Sequence, residues 1–401
     1  METSQAVVIP VAPSATPTSR VSLAVVIAAS GLVTAVVMAM PSSPISGYFN
    51  VPPSTTDYGT HVRLAEEIET NGVTFPHFLW HVLVVAVHAV GPWSWMDAAK
   101  GIVIASYAFQ GSVLAWILLT TVPSAREASK APAVAALTLL IVIAAPVTIL
   151  TWREPALYYG YLNMDAWASP THALLKPLAL LAFGFAVKAF TEGGGLREAV
   201  VLFVAVTLSA LAKPSLSICL VPATVVLGAW RWFTGGTFDI RYLVGAVLVP
   251  SAAILVWQYL GYFAPGGQSA IIFAPFLVMG HSAKWLGPKF LLSILLPLMV
   301  LLMYRREALR EPVLQLAWVQ FAFAAGYTYL LAETREPLAG NFAWTGQIAT
   351  YILFVSSTLF ACRHWNGRAA SVVCAMAFGL HAVSGVLWFM YPGHAGAVPP
   401  P

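Results

Sequence analysis

Apolar positions in this chain neither alternate nor keep to one helical stripe; they run on for the depth of a membrane. Such runs recur from about Val21 to Met390. Roughly 20 apolar residues cross a hydrocarbon core about 30 Å thick. Backbone groups find no water there, so helices are the expected elements. The pattern predicts an all-α, polytopic transmembrane helix bundle of about 11 spans in a single domain over residues 21–391. Residues 1–20 are rich in Pro, Ser and Thr and read as a disordered cytoplasmic tail. Residues 392–401 read as a flexible tail.

The polar interruptions set the threading. Arg20, Arg126, Lys130, Lys188, Arg197, Arg231, Arg241, Arg305, Arg306, Arg310, Arg363 and Arg368 fall in alternate loops, and short cytoplasmic loops collect such cations. They are 12 of the 20 cations. External loops are then expected near 41–76, 151–172, 261–284 and 332–347. The chain reads as a multi-pass protein of the inner (plasma) membrane with a cytoplasmic amino terminus. One stretch breaks the parity. Phe78 to Val90 is short and, with His77 just before it, carries His81 and His88 at helical spacing, so it is expected to lie in the interface or re-enter. The apolar run Ile271 to Met279 is likewise too short to span and reads as re-entrant or interfacial.

Composition agrees with this reading: 59% of the 401 residues are hydrophobic and 9% charged, against roughly a quarter charged in soluble domains. The formal charge of +4, with no basic run longer than Arg305-Arg306, excludes a nucleic-acid stripe. Cys219, Cys362 and Cys374 lack metal spacing and read as small buried hydrophobes. No Walker, HExxH or GxSxG motif is present.

Candidate chemistry lies in the external loops. Ser54 to Ile68 shows apolar Val62, Ala65 and Ile68 spaced by three, a short amphipathic helix on the membrane surface capped by Thr60 or Asp57. Asp57 is either that cap or a carboxylate whose partly dry setting raises its strength as a base. Tyr58, His61 and Arg63 follow within two turns. Residues 151–176 hold five Trp and Tyr residues, Trp167 among them, with Asn163, Asp165 and His172. Such aromatics anchor at interfaces and also stack on sugars. The last large loop brings Glu333, Arg335, Asn341 and Trp344. Lys213, Lys284, Lys289 and Arg335 are cations on a face otherwise short of them, suited to a phosphate or pyrophosphate. Lys213 sits where Lys-Pro interrupts two apolar segments, so a simple tight turn is the competing view.

The order of these features resembles the GT-C superfamily of membrane glycosyltransferases, which take a sugar from a polyprenyl-phosphate donor. The resemblance rests on the first span at Val21 to Met40 and on Thr56-Asp57-Tyr58-Gly59-Thr60-His61. It continues through the amphipathic helix, the proline-led segment from Phe75-Pro76, the aromatic loop ending Trp167-Ala168-Ser169-Pro170-Thr171-His172, and Glu333 to Trp344. It implies hexosyl or pentosyl transfer to a glycolipid or cell-envelope glycan, with inversion and with Asp57 as general base. It places the donor phosphate among Arg63, Lys213, Lys284 and Arg335. Sugar or acceptor would meet Tyr58, His61, Asp165, Trp167, His172, Glu333, Asn341 and Trp344. No metal ligand set or cofactor is required, although a divalent cation is compatible. The partners implied are the lipid-linked donor, the glycan acceptor and membrane lipids, with no nucleic acid. The rival readings are a transporter or flippase of lipid-linked saccharide, which would favour an inverted repeat, and a ligase or polymerase of lipid-linked glycans.

Overall fold

A computed structural model describes residues 17–50, 56–72, 76–149, 160–164, 167, 169–262, 270–282 and 284–390. Its helices are α1 (Pro17–Ala39), α2 (Pro44–Phe49), α3 (Asp57–Asn71), α4 (Leu79–Val90), α5 (Trp95–Thr121), α6 (Ala131–Ile143), α7 (Pro170–Ala186), α8 (Leu196–Ala212) and α9 (Ser215–Phe233). There follow α10 (Ile240–Leu243), α11 (Val249–Tyr262), α12 (Leu277–Ser282), α13 (Leu286–Ser293), α14 (Leu295–Met303), α15 (Arg305–Arg310), α16 (Pro312–Leu330), α17 (Ala343–Arg363) and α18 (Ala369–Phe389). Two three-residue strands, β1 (Ile271–Phe273) and β2 (Leu331–Glu333), complete the described elements.

Among the described residues seven helices are long and apolar enough to span: α1, α5, α7, α9, the continuous α10–α11 unit, α17 and α18. The pair α13 and α14, bent by 69°, makes up to eight. The chain is therefore a polytopic membrane helix bundle, with seven or eight candidate spans among the described residues against the about 11 expected. The excess came from apolar runs that folding cuts short. Helices α4 and α6 have 12 and 13 residues, roughly 18 to 20 Å at 1.5 Å per residue. Helix α8 has 17 residues, and α16 is diluted by Gln315, Gln320, Tyr327 and Thr328.

The break after α6 shows how irregular backbone is accommodated. Ala145 N–H donates to the His381 carbonyl, and His381 Nδ1 donates back to the Ala145 carbonyl at 2.8 Å. Ser384 Oγ donates to the Pro146 carbonyl at 2.6 Å. Helix α18 thus supplies the partners that a lipid environment withholds. It approaches closely because Gly385 faces the Ile143 carbonyl, where a Cβ would collide with backbone. Small residues likewise set the α1–α5 contact, with Gly31 against Ser112 and Gly111 against Thr34. The outward faces stay apolar, as at Leu32, Val36, Val226, Leu260, Met376 and Leu387.

The bundle is all-helical as expected, apart from one short strand pair, one strand of which lies in the run Ile271 to Met279. β1 pairs antiparallel with β2, Ile271 opposite Glu333 and Phe273 opposite Leu331. Three residues inside an apolar run carry too little periodicity to announce a strand. Helices α7 and α17 form the interior, each 83% buried over its span against 22% for α1. Lys188, Arg231 and Arg363 gather at one end of this core, where Arg231 bonds to the Phe190 carbonyl and to Gln315, and Arg363 pairs with Glu311 at 3.5 Å. The amino-terminal ends of α7, α9 and α17 lie at the other.

Candidate functional site

Helix α3 begins where its sequence permits. Thr56 Oγ1 accepts the Gly59 N–H at 3.1 Å, so Thr56 is the cap, not Thr60 or Asp57. Asp57 is thereby released from capping. Tyr58, His61, Val62 and Ala65 form the buried face. Tyr58 stacks on Tyr48 and donates from its hydroxyl to the Trp167 carbonyl at 2.7 Å. This bond fixes α3 to the segment that leads into α7. The helix packs this face on the protein.

Three separate stretches of chain meet at Asp57. Ser169 and Thr171, at the start of α7, stand 3.2 Å apart. Lys213 reaches them from the break between α8 and α9, its Nζ 3.3 Å from Ser169 Oγ and 3.5 Å from Thr171 Oγ1. The same ammonium lies 3.7 Å from the centroid of Trp344, at the start of α17. Lys213 is buried, so it is no surface turn lysine. Burial lowers its pKa to about 8, against the pull of Asp57 in the other direction.

The Asp57 side chain is 39% exposed, so it can be reached, yet it stands in a recess deep enough for desolvation to matter. Desolvation pushes its pKa up, but His61, Lys213 and a hydrogen bond with Ser169 outweigh that, and the carboxyl falls to about 2. The expected strengthening of Asp57 as a base by a dry setting is therefore corrected: at rest it is a well-held anion. Beside it, His172 is fully buried, 5.4 Å from the Trp344 ring, with neither nitrogen hydrogen-bonded among the described residues.

Histidines line the other flank. His61 Nε2 is 3.5 Å from Asp57 Oδ2, and its Nδ1 is 2.9 Å from His81 Nε2. His77 lies 6.3 Å from the His61 ring and is depressed to about 3, by burial first and then by Lys213 and its histidine neighbours. Gln258 of α11 donates to the Pro76 and Ala210 carbonyls and so pins the turn that carries His77. His88 does not join them: it stacks on Trp95 at 3.9 Å and bonds the Trp93 carbonyl. Among the described residues no group of His, Cys, Asp or Glu has the arrangement of a metal site.

Comparison with known proteins gives no match. No protein family, curated sequence or solved structure corresponds to the chain.

Of the residues singled out from sequence, Asp57, His61, His172, Lys213 and Trp344 come together, from segments far apart in the chain. Arg63 does not; it points outward and pairs with Glu67 at 3.5 Å. Lys284 and Arg335 are exposed, and neither is among the groups acting on Asp57 or Lys213. Lys289 is buried with its Nζ 5.4 Å from the Tyr161 ring. Glu333 is buried on β2, which raises its pKa, while a hydrogen bond from Asn341 acts against the rise. Both line a small recess with Thr328 and Gly340. Asn163 is buried between Leu162 and Met164, and Asp165 lies outside the described residues. Sequence reasoning missed Ser169 and Thr171 as ligands of Lys213. The signal was present only as a polar pair on either side of Pro170, an ordinary helix start.

Proposed function

We propose that the Asp57 end of the bundle is the active site of a membrane glycosyltransferase that uses a polyprenyl-phosphate sugar. The observation that carries this reading is the meeting of an anionic carboxylate with a buried, polarised lysine beside an unengaged histidine. The amino termini of α7, α9 and α17 add their partial positive charge to that of Lys213. Such a site suits a phosphate that must leave as an anion.

Lys213 holds the donor phosphate, and His172 bonds a sugar hydroxyl. Glu333 and Asn341, on the segment leading to Trp344, border the acceptor side. Once the phosphate takes the Lys213 ammonium, Asp57 loses part of the field that keeps its pKa low and becomes a better base. It removes the proton from the acceptor hydroxyl, whose oxygen attacks the anomeric carbon as the carbon–oxygen bond to phosphate breaks. One displacement inverts the configuration. Arg63, Lys284 and Arg335 have no part in this arrangement. The positive loops at the opposite end support a cytoplasmic amino terminus and an external active site.

The test is transfer of radiolabelled sugar from a panel of polyprenyl-phosphate sugars by purified protein and its Asp57→Asn variant. Loss of about 100 to 10,000-fold in rate with donor binding retained is expected. Undiminished transfer by the variant would refute the role of Asp57.

A further inference from the structure

Helices α6 and α18 meet at one end and part at the other. Their close approach is at Gly385, against the Ile143 carbonyl. Towards their amino ends, at the end of the bundle away from Asp57, a cleft of about 470 Å³ opens between them. Ala133 and Leu137 of α6 line one wall, and Ser371, Ala375 and Phe378 of α18 the other. Each set is spaced for a single helix face, and the small side chains leave the width. Water in such a space wants about two to four polar partners per molecule. These walls are mostly hydrocarbon, and hydrocarbon is what they fit.

The mouth has a different character. Lys130, just before α6, and Arg363, the last residue of α17, are the charged side chains of the lining, and no acid lines it with them. Arg363 is held by Glu311 at 3.5 Å, which leaves the exposed Lys130 as the cation for a partner. Glu127, whose carbonyl accepts the Lys130 N–H, is exposed and stands outside the lining. Neither α6 nor α18 has a side-chain cap or an acid in its first turn, so the positive ends of both helix dipoles border the mouth uncompensated. Trp365, 57% exposed, also lines it and marks the depth of lipid head groups, where Trp collects.

We propose that this cleft binds an anionic phospholipid of the leaflet at that end. The phosphate sits at Lys130 between the amino ends of α6 and α18, and an acyl chain lies between the two helices towards Phe378. Basic pockets between spanning helices take such head groups. The lipid fills the gap where α6 and α18 part, and so fastens them to each other. The site is separate from Asp57 and does not depend on the reaction carried out there.

The test uses full-length protein in detergent with dioleoyl phosphatidylglycerol carrying a diazirine on one acyl chain. After irradiation, label is expected in residues 131–137 and 371–378. Unlabelled dioleoyl phosphatidylglycerol should compete at least about 5-fold better than dioleoyl phosphatidylcholine, and Lys130→Gln should weaken labelling about 5-fold. Ala375→Phe puts a ring into the cleft from an exposed position, keeps both cations and should abolish labelling. Phosphatidylglycerol should also raise the unfolding temperature of the unmutated protein but not that of Ala375→Phe. Label confined to other segments, equal competition by the two lipids, or full labelling of a folded Ala375→Phe variant would each overturn the proposal. Should Ala375→Phe not fold, undiminished labelling of Lys130→Gln would still overturn it.

Discussion

Lys213 gives the sharpest handle on how the site would hold a phosphate. Its ammonium touches Ser169, Thr171 and Trp344 together, and burial brings its pKa down to about 8. If only the ammonium binds an anionic donor, affinity is flat below pH 8 and weakens by about 10-fold per pH unit above it. Binding raises the lysine's pKa in return, so the basic limb of kcat should lie above that of kcat/KM. A charge-assisted hydrogen bond is worth about 1.5 to 3 kcal/mol. Lys213→Met should therefore weaken donor binding roughly 10- to 150-fold and abolish the pH dependence above 8. Stability moves the other way. Because the folded-state pKa lies below the ordinary 10.5, burying the charge costs stability below pH 8, and the cost is relieved as pH rises from 8 towards 10.5. Lys213→Met should be no less thermostable near neutral pH. The assay is binding of a labelled polyprenyl phosphate to protein in nanodiscs between pH 6.5 and 9.5. Affinity independent of pH, or unchanged by the substitution, would refute the assignment of the phosphate to Lys213.

Two further outcomes follow from the geometry. Trp344→Leu removes the ring under Lys213 and should weaken donor binding by about 0.5 to 2 kcal/mol, while Trp344→Phe should lose less; titration of the same labelled lipid separates them. Gly385→Ala places a methyl group against the Ile143 carbonyl and should cost about 1 to 3 kcal/mol, seen as a lower unfolding temperature with donor affinity per folded molecule unchanged.

The membrane bundle was legible because span-length apolar runs have few other uses. The number of spans was not, since composition does not say where a helix stops: α6 ends at Ile143 although its apolar run continues, because His381 and Ser384 of α18 satisfy the backbone beyond it. The site was legible in part. Asp57, His61, His172, Lys213 and Trp344 each stood out as polar or aromatic groups at breaks between apolar segments. Their convergence follows from helix packing that no local pattern encodes. Charge alone singled out Arg63, Lys284 and Arg335, but a cation's place in the sequence does not tell which way its helix turns it. Thr56 was passed over as the cap of α3 because Asp57 and Thr60 offered equally good local chemistry.

The most direct test of the central claim uses sealed proteoliposomes with a radiolabelled polyprenyl-phosphate sugar and an acceptor glycan on the side of the Asp57 end. The account predicts label covalently joined to the acceptor, with inverted anomeric configuration and loss of transfer in Asp57→Asn. Intact donor appearing in the opposite leaflet, with no label on any acceptor, would contradict it.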